Sequence, residues 1–78
     1  MTISSEQIRA GRALVRWTQE DLAHAAGIST PTLKRWEAGT GIPNGSARSL
    51  SALQKALETA GVVFIDENGG GAGVRLKR

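Results

Sequence analysis

Residues 18–39, TQEDLAHAAGISTPTLKRWEAG, constrain this chain more than any other stretch. Thr18 followed by Asp21 has the form of a capping box, with Asp as the shorter partner. Leu22, Ala23 and Ala26 then make one apolar stripe. Gly27 can take the left-handed conformation that closes a helix. Ser29 or Thr30 can cap a second helix, Pro31 suits its first turn, Leu33 and Trp36 form its inner face, and Gly39 stops it. Two short helices meeting at one glycine cannot bury a core alone. Neighbouring elements must seal one side, which leaves the other side of the second helix on display.

The flanking sequence supplies those neighbours. A first helix is expected from about Ser5 to Arg16, capped by Ser4 or Ser5, with Glu6 at the positive end of its dipole. Ile8, Gly11, Arg12 and Val15 share a face. Gly11 costs roughly 1 kcal/mol relative to alanine, and close approach of another element is the usual reason to tolerate it. After the loop TGIPNGSA, a fourth helix is expected from about Ser46 to Ala60, with Leu50, Leu53 and Leu57 on one stripe. Beyond Gly61 the period changes. VVFID is apolar and β-branched, ENGGGAG is turn material and VRLK alternates, which is a hairpin pattern. The alternative is a disordered end, since ordering glycines is entropically costly. The expected fold is mainly α, a four-helix unit over residues 1–61, with a β-hairpin over 62–78.

Composition narrows the function classes. The chain has 78 residues, no cysteine and one histidine. A disulfide framework and a thiolate metal site are excluded, and no metal or cofactor is expected. His24 reads as a solvated surface residue. No apolar run approaches the roughly 18 residues of a membrane span, and MTISSEQIRAGR has no apolar signal segment, so a cytoplasmic location is expected. The net charge of +3 is a modest pointer to a polyanionic partner. Nothing supports catalysis. Glu20 and Asp21 lack a pocket or nucleophile, and GGGAG lacks the helix and lysine of a phosphate loop. Trp17 is expected at the corner of the first two helices, and Trp36 in the core rather than stacked on bases.

In a twenty-residue frame starting at Gln19, Leu22, Ala23, Ala26, Gly27, Ile28, Leu33 and Trp36 fall at the fourth, fifth, eighth, ninth, tenth, fifteenth and eighteenth positions. This pattern resembles the helix-turn-helix of DNA-binding proteins. Two helices crossing on a short turn need a small contact residue, here Ala23, and a turn residue tolerant of positive φ, here Gly27. Ser29, Thr30, Pro31, Thr32, Lys34 and Arg35 remain outward, a face that suits base edges and phosphates.

TQEDLAHAAGIS followed by TLKRWEAG resembles the lambda Cro and repressor group, the XRE family of transcriptional regulators, over roughly residues 6–60. The resemblance implies base contacts from Thr30, Pro31, Lys34 and Arg35. Pro31 departs from the commoner polar residue and can offer only apolar contact, for example to a thymine methyl. Phosphate contacts are expected from Gln19 at a helix N-terminus, with Thr18, Ser29, Thr32 and Thr40. Arg12 and Glu37 match a family pair that ties the first helix to the third; the alternative is two independent surface charges. The family's usual short fifth helix is missing here. A homodimeric regulator, a repressor, is expected, with Val62, Val63, Phe64, Ile65, Val74 and Leu76 as dimer interface and helices 1 and 4 supporting them through Leu14 and Leu57. The competing expectation is an antitoxin that binds a toxin protein through the tail and represses its own operon.

Overall fold

Each helix begins where a hydroxyl side chain can hold its first turn. Ser4, Thr18, Ser29 and Ser46 each accept the backbone N–H three residues on. A computed structural model, which describes residues 2–77, accordingly has α1 (Ser5–Leu14), α2 (Gln19–Ala26), α3 (Thr30–Ala38) and α4 (Ala47–Thr59), followed by strands β1 (Val62–Ile65) and β2 (Gly73–Leu76). At Ser4 and Thr18 the cap is reciprocal, with Gln7 and Asp21 returning the bond to the cap N–H.

α1 stops short of Arg16. Arg16 adopts φ 59°, Trp17 N–H donates to Arg12 O at 3.1 Å and Arg16 N–H to Ala13 O at 3.1 Å. This is a left-handed helix closure made without glycine, which costs about 1–2 kcal/mol in backbone strain. Gly27, at φ 70°, closes α2 in the same conformation. Gly39 ends α3 differently, with extended backbone. The free carbonyls there are taken up by α1 instead. Ser5 Oγ donates to Trp36 O at 2.5 Å, and Arg9 Nη1 donates to Glu37 O and, at 2.9 Å, to Gly39 O.

The core is Ile3, Ile8, Leu22, Ala23, Leu33, Trp36, Leu53, Leu57 and Val62, drawn from every helix and from β1. Burial of each large side chain contributes about 1.5–3 kcal/mol. Gly11 is where α1, α4 and the hairpin meet: a Cβ there would stand 3.3 Å from Leu57 Cδ1 and 3.4 Å from Val62 Cγ1. Gly45 is tighter still, with a Cβ falling 2.5 Å from Trp36 Cζ2, so the loop between α3 and α4 lies directly on the indole.

β1 and β2 are antiparallel, with Val62 opposite Leu76, Val63 opposite Arg75, Phe64 opposite Val74 and Ile65 opposite Gly73. Opposite residues share a face. Val62, Phe64, Val74 and Leu76 are therefore on one face, and Val62, Phe64 and Val74 pack on the core. Val63, Ile65 and Arg75 are on the other. Two sequence expectations change here. Val62, expected at a dimer interface, is 2% exposed in the core of its own chain. Leu14, expected to support the hairpin, is 38% exposed; that role falls to Leu57 and Gly11. Gln7, 4% exposed, fastens the hairpin to α1: its Nε2 donates to Ile65 O at 3.2 Å and Gly73 O at 3.0 Å.

Candidate nucleic-acid interface

The site is built on a buried carboxylate. Glu37, near the end of α3, is 4% exposed. Arg12 of α1 approaches it with two parallel hydrogen bonds, Nε to Oε2 at 2.8 Å and Nη2 to Oε1 at 2.9 Å. A forked pair of this kind fixes orientation as well as charge. Gln19 Nε2, at the start of α2, donates to the same Oε1 at 3.1 Å. Arg12 Nη1 also donates to Trp17 O at 3.0 Å. One carboxylate thus ties the end of α1, the start of α2 and the end of α3 together. With Arg9 and Ser5 on its terminal carbonyls, α3 is held along its inner side and at its C-terminus.

The outer side of α3 has no such ties. Pro31, Lys34 and Arg35 are exposed, and Thr30 and Thr32 are half-buried. Among the described residues, Lys34 and Arg35 have no hydrogen-bond or ion-pair partner. Arg35 lines a cavity of about 280 Å³ with Ser5, Trp36, Gly39, Thr40, Ile42, Pro43 and Asn44, so its stem lies towards the following loop. Thr40 is exposed on that loop. No acidic residue occupies the first turn of α3 or of α4, which leaves the positive ends of both helices uncompensated.

Three of the hydroxyls named from the sequence, on Thr18, Ser29 and Thr32, are already engaged. Ser29 Oγ donates to Thr32 Oγ1 at 2.8 Å and accepts Thr32 N–H at 3.3 Å. Thr18 Oγ1 accepts Asp21 N–H at 3.0 Å. α2 differs from α3 in carrying Glu20 and Asp21 in its first turn. One N–H of the Gln19 side chain is held by Glu37, and among the described residues the other has no partner.

Arg12, Gln19 and Glu37, far apart in sequence, are brought together; Ala23 and Gly27 lie at the helix crossing and turn, Ala23 being 2% exposed. Val62 to Ile65, Val74 and Leu76 lie on the hairpin, apart from α3. Sequence reasoning missed Ser5, Arg9 and Gly45, the residues that grip the end of α3 and cover Trp36. Their signal was faint: an arginine three residues before Arg12, and an extra glycine in the loop.

Comparison with known proteins agrees with this geometry. A family model described as helix-turn-helix matches residues 8–61. Among curated proteins, none matches the chain.

Proposed function

The chain belongs to the Cro/C1-type helix-turn-helix family, whose members bind DNA and regulate transcription, and from that premise we propose a sequence-specific repressor that binds double-stranded DNA as a homodimer. α3 enters the major groove. Thr30, Pro31, Lys34 and Arg35 meet base edges, and Thr18, Gln19, Ser29, Thr32 and Thr40 meet the flanking phosphates. Residues 1–61 carry DNA binding, and residues 62–78 carry dimerisation through Val63, Ile65 and their neighbours. Occupancy of the duplex is sufficient for repression, since it excludes other proteins from the same bases. The protein works in the cytoplasm, at the nucleoid.

The observation that carries this reading is the contrast between the two sides of α3. Its inner side is locked by Glu37, Arg12 and Arg9, while Lys34 and Arg35 stand unpaired on the outer side. A rigid helix with free cationic ends loses little entropy on meeting a polyanion. The test begins with selection from a random duplex library. Arg35→Ala should then cost about 1–3 kcal/mol on the selected site and relax preference at one base pair. Gln19→Ala should weaken selected and scrambled duplexes alike. Equal losses on both duplexes for both variants would remove α3 from the groove.

An antitoxin role is the second reading, and the open strand edge of the hairpin favours it. Co-purification with a small unrelated protein encoded beside it would support that role.

A further inference from the structure

The turn between β1 and β2 is gathered on one carboxylate. Glu67 Oε2 accepts Gly69 N–H at 3.2 Å and Gly71 N–H at 3.1 Å. Gly70 N–H donates to Asn68 Oδ1 at 3.4 Å. Gly69 and Gly71 have φ 98° and 89°, a conformation that favours glycine. These bonds assemble the parts of a reaction. The ring closed by the Asn68–Gly70 bond contains both Asn68 Cγ, an electrophile, and Gly69 N, a nucleophile once it loses its proton. Holding two reacting groups in one short loop replaces an encounter by a local rotation. The Gly70 N–H polarises the amide carbonyl, as a donor in an oxyanion hole does. The Glu67 carboxylate sits on the proton that Gly69 N must lose, which is the position of a general base. No atom lies within 4 Å of where a Cβ on Gly69 would stand, so nothing crowds that side of the chain.

We propose that Asn68–Gly69 is a site of self-modification, at which Asn68 loses its side-chain amide. Gly69 N bonds to Asn68 Cγ, and its proton passes to Glu67. The carboxylate returns that proton to Nδ2, the Cγ–Nδ2 bond breaks and ammonia leaves. The intermediate is a five-membered cyclic imide. Water adds to either imide carbonyl, one C–N bond opens, and position 68 becomes aspartate or isoaspartate. One water is consumed and one ammonia released, with no change of oxidation state. Either product adds one negative charge to a chain of net charge +3. Isoaspartate also adds one carbon to the backbone inside the turn. The turn is flanked by Ile65 and Gly73, whose carbonyls Gln7 holds. The change is therefore felt where the hairpin is fastened to α1.

The chain carries its own comparison. Asn44–Gly45, in the loop between α3 and α4, is the same dipeptide. Among the described residues, no hydrogen bond reaches Gly45 N–H or the Asn44 side chain. Gly45 also lies against the Trp36 indole. Ring closure there has no base on the nucleophile and no donor on the carbonyl, and it would have to shift a loop that rests on the core. By residue type the two pairs are equivalent; their surroundings separate them. The chemistry at Asn68 is independent of DNA binding.

The test follows both pairs in the full chain, incubated near neutral pH in water enriched in heavy oxygen. Peptide mapping by mass spectrometry measures the loss of each amide and the uptake of the label, and a methyltransferase specific for isoaspartate marks that product. Asn68 should convert at least about tenfold faster than Asn44, and at least about tenfold faster in the folded chain than in urea; a well-aligned general base gives roughly 10²–10⁴, and the bond to Glu67 is long. Glu67→Gln keeps an oxygen acceptor for both glycine amides but removes the base. It should slow Asn68 by about tenfold and leave Asn44 unchanged. Asn68 converting no faster folded than unfolded, or as fast in Glu67→Gln as in wild type, would overturn the proposal. Equal rates at Asn44 and Asn68 in the folded chain would overturn it as well, since the dipeptide rather than the turn would then set the rate. Separated by cation exchange, the converted chain should show faster hydrogen exchange in β1 and β2, with α2 and α3 unchanged. Unaltered exchange in the strands would overturn the link from the turn to the hairpin.

Discussion

The α2–α3 pair and the C-terminal hairpin are held by different kinds of contact. The α2–α3 unit is specified locally. Its caps, its turn and its crossing all involve residues within a few positions of each other: Thr18 with Asp21, Gly27 at φ 70°, Ser29 with Thr32. The hairpin has little of its own. Its strands are four residues each, and a two-stranded hairpin is marginal in water. It is held from a distance, by Val62 in the core and by Gln7, which lies 58 and 66 residues from the carbonyls it meets. Both regions converge on α1. One side of α1 grips α3 through Ser5, Arg9 and Arg12; the other grips the hairpin through Gln7 and Gly11. A helix outside the recognition motif therefore sets how the display helix and the sheet sit relative to each other.

The strongest test of this contrast is Glu37→Ala. It leaves the Arg12 guanidinium without its countercharge and frees Gln19. Removing one partner of a buried pair costs about 3–5 kcal/mol. Arg12 is 24% exposed, so the low end, about 3 kcal/mol, is expected in chemical denaturation. Hydrogen exchange should show protection lost first in α3 and at the start of α2, with the hairpin opening only with the whole chain. Early loss in the hairpin would mean that the two regions are not held separately.

Gln7→Ala probes the other side of α1. It removes two hydrogen bonds to the strands and the returning half of the Ser4 capping box, a loss of about 1–3 kcal/mol. Hairpin amides should exchange faster while those of α2 and α3 keep their protection. Equal loosening of both regions would show that the hairpin is part of one undivided cooperative unit.

These contrasts also explain what was legible in the sequence. Local chemistry was. The four helices, the hairpin, the Gly27 turn and the reason for Gly11 could all be read from spacing and residue type, because each depends on neighbours in sequence or on one periodic face. Arg12 and Glu37 could be matched only through resemblance to a family, since no local pattern links residues 25 apart. The grip of Ser5 and Arg9 on the end of α3 left no pattern, because backbone carbonyls are the acceptors and any sequence supplies those. The hairpin's faces were misassigned at Val62 for a related reason. VVFI is apolar throughout, and alternation cannot distinguish the inward face until helices are packed beneath it. Leu14 was misplaced because α1 ends at Leu14, and Arg16 turns the chain away.

Gly45→Ala sharpens the contrast within the recognition half. The new Cβ would meet Trp36 at 2.5 Å from Cζ2 and 2.8 Å from Cε2. A ring packed in the core cannot yield freely, but an exposed loop can. A loss of about 1–2 kcal/mol is expected, at the lower part of the overpacking range. Trp36 fluorescence should shift to the red as the loop lifts from the indole; a Trp17→Phe background isolates that signal. An unshifted spectrum and unchanged stability would show that the loop does not need its contact with Trp36.

The smallest effect belongs to Glu6, which joins α1 to the same loop. Its carboxylate accepts Gly41 N–H at 3.0 Å, while Ser5 N–H donates to Gly41 O at 2.7 Å. Backbone hydrogen bonds, from its own N–H first and then from Gly41, hold the carboxyl below its ordinary value of 4.5. A carboxyl whose pKa is lowered on folding stabilises the native state above the unfolded value. That contribution is lost as pH falls through the lower, folded value. Glu6 is fully exposed, so solvent screens most of the effect. The sensitive probe is therefore local rather than global. The Gly41 amide resonance should titrate with a midpoint below 4.5 in wild type and stay flat over the same range in Glu6→Gln. The amides of β1, bound to the opposite side of α1, should not follow that midpoint. A Gly41 midpoint at or above the ordinary value would show that the carboxylate does not hold the loop. A matching titration in β1 would show that the two sides of α1 are coupled, and that the separation between recognition half and hairpin fails at its weakest contact.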